Sequence, residues 1–83
     1  MTFGEKLLEH RKLNGLSAEE LAITCGVSRS YITLIETGRR MPAPKVLPRI
    51  AEAFKLKTHI VLNWYLEEKI QKVHQELALP SQS

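Results

Sequence analysis

Apolar residues recur every three or four positions along most of this 83-residue chain, which is the period of an amphipathic helix. Capping residues mark where the individual helices begin within this pattern. Thr2 with Glu5 and Ser17 with Glu20 have the spacing of capping boxes, and Ser28 provides a third cap. The pattern predicts an all-α protein with five helices, over approximately residues 3–13, 17–25, 28–38, 44–54 and 58–79.

The segment 17–38 is predicted to form two short helices joined by a turn of about three residues. Gly26 lies in the turn, where glycine can take the positive φ that ends a helix without a steric penalty. Ala22 is small where the helices approach each other. The outer face of the second helix carries Arg29, Ser30, Thr33 and Leu34. A short helix with polar donors on its outside, held by a preceding helix, is an element that the major groove of DNA admits.

The segment 15–40 resembles the helix-turn-helix of the Cro and phage-repressor (XRE) family of bacterial DNA-binding regulators. The resemblance depends on one shared register of small and apolar residues: Ala22, Gly26, Val27, Ile32 and Ile35. It covers about residues 3 to 56 and implies a five-helix, lambda-repressor-like DNA-binding domain, here with an extended C-terminal helix. Ala18 departs from the family, which usually has glutamine there, so no DNA contact is carried over to this side chain.

Base readout is expected from the outer face of the second helix of this motif, the recognition helix: Arg29, Ser30, Thr33 and Leu34. Arg29 can hydrogen-bond guanine O6 and N7 together, whereas Leu34 is either a contact to a thymine methyl or a residue at the edge of the core. Positioning on the DNA backbone is expected from a second set: Ser28, Tyr31, Thr37, Arg39, Arg40 and Lys45. Tyr31 is expected to stack against the sugar-phosphate backbone.

Two features are expected to support the recognition helix. Pro44 is predicted to open the fourth helix and to leave free N–H groups near Lys45 and Val46, which would form an anion site. The resemblance also implies an ion pair between Arg11 on the first helix and Glu36 at the end of the recognition helix. The role of this pair would be structural.

The charge of the chain is concentrated around the motif. The net charge is +3, but residues 26–57 contain seven basic and two acidic side chains, a net charge of +5, while each flanking segment has a net charge of −1. A solvated face is the ordinary interpretation of such a cluster. Its coincidence with the helix-turn-helix instead favours a polyanion, double-stranded DNA, as the partner.

The last predicted helix, within 58–79, is long for a chain of this size. It carries an apolar seam of coiled-coil type: Leu62, Leu66, Ile70, Val73 and Leu77. The seam is predicted to be the interface of a homodimer; the alternative is an amphipathic helix folded back on its own core. The chain is accordingly divided into a DNA-binding core at 1–57, a dimerisation helix at 58–79 and a disordered tail at 80–83, all within one domain.

The sequence offers little for catalysis. Cys25 is alone, the three histidines are scattered, and no phosphate-cradling glycine loop is present, so neither an enzyme, a metal site nor a cofactor is predicted. No small-molecule ligand is expected. No targeting segment or apolar run of about 20 residues occurs, which predicts a cytoplasmic, nucleoid-associated protein without membrane contact.

The predicted function is a sequence-specific transcriptional regulator, most simply a repressor that binds an inverted repeat as a homodimer. The alternative keeps the fold but makes it a protein-interaction module, for instance an antitoxin whose last helix holds a regulatory protein partner.

Overall fold

The computed structural model describes residues 1–78, and within that range the chain forms five α-helices and no strands. The helices are α1 (Phe3–Leu13), α2 (Ala18–Cys25), α3 (Arg29–Glu36), α4 (Leu47–Ala53) and α5 (Thr58–Leu77). The predicted all-α, five-helix fold is therefore confirmed. The predicted tail at residues 80–83 and the predicted helix end at Leu79 lie outside the described residues.

The predicted caps of the first three helices are present. The Thr2 hydroxyl accepts from the Glu5 N–H at 3.1 Å while a Glu5 carboxylate oxygen accepts from the Thr2 N–H at 2.8 Å, and Ser17 with Glu20 repeats both bonds. The hydrogen bond from the backbone N–H of the cap residue lowers the pKa of each glutamate below its usual value, and the bond with the cap side chain lowers it further. Gly26 has a φ of +70° and ends α2 as predicted.

Two predicted helix starts differ in detail from the structure. Pro44 opens a short 3₁₀ turn, Pro44–Val46, and α4 begins only at Leu47. The N-cap of α5 is Lys57, without a side-chain hydrogen bond, and Thr58 is already the first helical residue instead of the cap. The chain leaves α4 through Lys55 with a φ of +57°, and the following Leu56 packs against the core, so the helical backbone starts before a threonine cap can form.

The core collects the inner faces of all five helices. Its buried residues are Phe3, Leu7, Leu21, Ala22, Cys25, Ile32, Ile35, Val46, Leu47, Ile50, Ala51, Phe54 and Val61. α1 approaches α3 so closely that a Cβ added to Gly4 would clash with the carbonyl oxygen of Ile35. Only glycine is accommodated at this contact between α1 and α3.

The first half of α5 closes the core and the second half extends away from it. Val61 is fully buried, and the Trp64 ring lies 6.3 Å from the Phe3 ring and 4.6 Å from the His10 ring, between centroids. Glu68 accepts a hydrogen bond from the Phe3 N–H at 2.8 Å and so binds α5 to the start of α1. From Lys69 to Leu77, every residue except the half-buried Lys72 is exposed.

Candidate nucleic-acid interface

The outer face of α3 forms an open groove of about 460 Å³. It is lined by the four residues predicted to read bases: Arg29, Ser30, Thr33 and Leu34. All four are exposed, and Leu34 retains 37% of its accessible surface. Of its two predicted roles, this exposure fits a contact on the outer face better than a place in the core.

The hydroxyl groups along α3 differ in whether they can donate a hydrogen bond to a ligand or only accept one. Thr33 Oγ1 donates to the Arg29 carbonyl oxygen at 3.2 Å, and Thr37 Oγ1 donates to the Thr33 carbonyl oxygen at 2.9 Å. In this arrangement both threonines present acceptors to the outside. Ser30 makes no side-chain hydrogen bond to any described residue, so its hydroxyl is available as donor and acceptor.

Tyr31 fastens the loop that follows α3. Its hydroxyl oxygen accepts a hydrogen bond from the Ala43 N–H at 2.7 Å, and the Arg40 guanidinium carbon lies 4.5 Å from the centroid of the ring. Arg40 is thereby held beside α3 through a cation–π contact. These contacts show that Tyr31 braces the loop. Because Arg40 covers one face of the ring, only the other face could stack against the sugar-phosphate backbone of DNA.

The predicted anion site at the Pro44 turn is only partly formed. The Val46 N–H is not free, because it donates to the Ala43 carbonyl oxygen at 2.9 Å. Lys45 instead lines a cleft of about 340 Å³ together with Arg49, beside the Gly26 turn. Arg49 was not among the predicted site residues. It follows Lys45 by four positions in a helical segment, a spacing that places two side chains on the same face and could have identified it from the sequence.

Arg11 and Glu36 form a two-pronged ion pair between α1 and the end of α3. Arg11 Nε lies 2.7 Å from Glu36 Oε2, and Nη2 lies 3.1 Å from Oε1. Arg11 Nη1 also donates to the Leu16 carbonyl oxygen at 2.9 Å. The hydrogen bond to Glu36 raises the pKa of Arg11 above its usual value. Both side chains are largely buried, so the pair pins the C-terminal end of α3 to α1.

The other candidate groups do not assemble into a reactive site. Burial raises the pKa of the Cys25 thiol to about 11, against the opposing effect of the Arg49 charge, so the thiol is protonated at neutral pH. No cluster of three or more metal-binding side chains occurs within residues 1–78. Among the helices of that range, none is long and apolar enough to cross a bilayer.

The five residues of the predicted dimer interface lie exposed on one face of α5, and we call them the α5 stripe. Their exposed fractions are 38% for Leu62, 43% for Leu66, 65% for Ile70, 48% for Val73 and 67% for Leu77. Large apolar side chains in an exposed row are typical of a protein interface.

Comparisons with known proteins agree with this geometry. A family model described as helix-turn-helix matches residues 7–61. The chain is 35% identical over 78 residues to the HTH-type transcriptional repressor RghR of Bacillus subtilis (strain 168), covering 93% of this chain and 56% of RghR. It is 36% identical over 58 residues to the ImmF control region 10 kDa protein of Bacillus phage phi105, covering 70% of this chain and 64% of that protein. The chain thus spans less than two thirds of either relative.

Solved structures share the fold. The restriction-modification controller protein C.AhdI from Aeromonas hydrophila superposes with a TM-score of 0.66 at 34% identity, covering 71% of this chain and 89% of that one. The biofilm regulator SinR, solved in complex with DNA, superposes with a TM-score of 0.66 at 29% identity, covering 74% of this chain and 98% of that one.

Proposed function

Since the chain belongs to the helix-turn-helix family, in its Cro and phage-repressor (XRE) branch, we propose that it is a sequence-specific DNA-binding transcriptional regulator. In its simplest form it is a cytoplasmic repressor that occupies an operator on the nucleoid. The relatives named as repressors and the SinR structure with DNA support this proposal.

The observation that carries the proposal is the outer face of α3. Arg29, Ser30, Thr33 and Leu34 border one open groove, and exposed cations, Arg39, Arg40 and Lys45, follow α3 directly. A face with a guanidinium, hydroxyls and an apolar contact can distinguish base pairs, while the cations bind phosphates of any sequence. Ser28 and Thr37, at the two ends of α3, are proposed as further backbone contacts.

A homodimer completes the proposal. Two recognition helices related by a twofold axis would enter successive major grooves about 34 Å apart and select an inverted repeat. The exposed α5 stripe supports a protein interface on the last helix. No cofactor or small-molecule ligand is part of this proposal.

The test begins with selection of bound fragments from a random DNA pool, followed by fluorescence anisotropy on the selected duplex and on a scrambled one. We expect Arg29→Ala to weaken specific binding by about 1–3 kcal/mol and to relax one base position. Arg40→Ala is expected to weaken both duplexes alike and to flatten the salt dependence. Lys12→Ala, which removes an exposed cation on α1 outside the basic segment 26–57, is the matched control and should change little.

Equal losses on specific and scrambled DNA in both variants would contradict the assigned roles. Failure of the wild-type protein to discriminate any sequence would favour the second candidate, a protein-interaction module that uses the α5 stripe. Purification of the chain with a bound protein partner would support that second candidate.

A further inference from the structure

α5 has two apolar faces with different neighbours. One face packs on the chain's own core through Val61 and Trp64 and continues to Glu68, which binds the start of α1. Residues of the α5 stripe are on average about 165° away around the helix, at 100° per residue, so they point away from that core. Among them Ile70 and Val73 are 65% and 48% exposed.

The stripe has the detailed form of a coiled-coil surface. A shallow groove of about 320 Å³ is lined by Lys69, Ile70, Val73, His74 and Leu77. The last four of these have the spacing of the four residues that surround one inserted side chain, or knob, in knobs-into-holes packing. The groove is therefore shaped for an apolar side chain from a second helix.

Charged residues flank the stripe in an ordered way. With Leu66 and Val73 at heptad position d and Ile70 and Leu77 at a, Lys69 and Glu76 occupy g, and Glu67 and His74 occupy e. Neither Lys69 nor Glu76 forms an ion pair with any residue of the described chain. Glu67 at position e already lies 3.2 Å from Lys6, so the charges that remain for a second copy are those at the g positions.

We propose that the α5 helices of two copies pair antiparallel, an inference that rests on the proposed homodimer and specifies its geometry. In this register Ile70 packs against Val73 of the partner subunit, and Leu66 against Leu77 of the partner subunit. Helices in opposite directions set g against g, so Lys69 faces Glu76 of the partner subunit twice across the axis.

In a parallel pair, Lys69 would not face a carboxylate of the partner subunit. Helices in the same direction set g against the following e, so Lys69 would face His74 of the partner subunit and gain no opposite charge. The e and g positions of a coiled coil govern the orientation of its helices. Charge complementarity therefore selects the antiparallel orientation.

The antiparallel register also separates the two cores. Val61 is the fully buried point where α5 joins the core. In the antiparallel register the two Val61 positions are about 32 Å apart along the helices, at 1.5 Å per residue. In a parallel pair the same positions would be only about 8–10 Å apart.

Charge reversal in the full chain tests the register. Lys69→Glu and Glu76→Lys, each alone, should weaken dimerisation about tenfold in sedimentation equilibrium, because each brings like charges together. The double variant Lys69→Glu, Glu76→Lys should restore the wild-type dimer, since the pairs are formed again with reversed polarity. Lys12→Glu, an exposed reversal on α1, is the matched control. If the double variant instead loses as much dimerisation free energy as the two single variants together, the register is wrong.

Disulfide trapping gives a second measurement that does not depend on charge. In a Cys25→Ala background, Leu66→Cys protein mixed with Leu77→Cys protein should form the mixed disulfide. Leu66→Cys alone should not cross-link, because its two copies lie about 16 Å apart along the helices at 1.5 Å per residue. Efficient cross-linking of Leu66→Cys with itself would overturn the antiparallel arrangement.

The two proposals fail in different ways. Wild-type protein that binds its operator and sediments as a dimer, but shows no rescue by the double variant, refutes only the register. Wild-type protein that stays monomeric at every concentration refutes both the dimer and its geometry. Loss of sequence discrimination with an intact antiparallel dimer refutes the DNA-binding function alone.

Discussion

Replacement of Arg11 by methionine should destabilise the protein strongly, because it leaves the Glu36 carboxylate buried without its partner. The Arg11 and Glu36 side chains are 15% and 8% exposed, and two N–H groups of Arg11 bind the carboxylate. Removal of one member of a buried ion pair costs about 3–5 kcal/mol. With residual exposure on both sides, we expect about 3 kcal/mol for Arg11→Met and about the same for Glu36→Leu.

The double replacement should cost about 3 kcal/mol rather than 6, because no charge is left without a partner. Much of the remaining cost comes from the Leu16 carbonyl oxygen, which loses the donor at Arg11 Nη1, and from imperfect packing. A chain of this length is stable by about 4–12 kcal/mol, so each single variant should have a visibly lower urea midpoint.

The assay is urea unfolding followed by the fluorescence of Trp64, the single tryptophan, whose ring packs against Phe3. The matched control is the surface pair of half-buried Lys6 and exposed Glu67, at 3.2 Å, whose double-mutant cycle should give a coupling below about 1 kcal/mol. A coupling between Arg11 and Glu36 no larger than this control would refute the structural role of the buried pair.

Two further predictions concern α1 and the core. Gly4→Ala should cost about 1–3 kcal/mol and lower the melting temperature in calorimetry, because its Cβ clashes with the Ile35 carbonyl oxygen; an unchanged melting temperature would contradict the close contact. Gly38→Ala, whose Cβ meets nothing within 4 Å, separates the cost of a positive φ, here +78°, from the cost of a steric clash. The folded Cys25 pKa of about 11 exceeds its ordinary value of 9.0, so the stability due to the protonated thiol is complete below pH 9 and is lost as the pH rises through 11. Wild-type and Cys25→Ala stabilities measured across this range should therefore converge, and parallel pH profiles would contradict the raised pKa.

Local signals predicted the helices and most of their boundaries. Thr2 with Glu5 and Ser17 with Glu20 satisfy each other's hydrogen bonds within three residues, so neighbouring sequence was sufficient to find them. Thr58 has the right chemistry for a cap, but the path of the chain out of α4 placed the helix start elsewhere. Such a boundary depends on packing that local sequence does not contain.

Contacts between distant segments were not predictable in the same way. The Glu68 carboxylate caps α1 from 65 positions away, and the Tyr31 hydroxyl accepts from Ala43 in the following loop. From the neighbouring sequence, Tyr31 is predicted to contact the DNA backbone, and no residue near Glu68 indicates its partner at the start of α1. Only the arrangement of the helices brings each group to its partner.

The sequence by itself determined an all-α chain, a helix-turn-helix at 17–38 and a basic segment around it, because caps, helical period and charge are properties of residues within a turn or two of one another. Tertiary structure alone decided that Tyr31 braces the loop, that Gly4 permits α1 to touch α3, and that the α5 stripe remains exposed. The physical reason is that each of these depends on which face of one helix is covered by another, and that is settled only when the core packs.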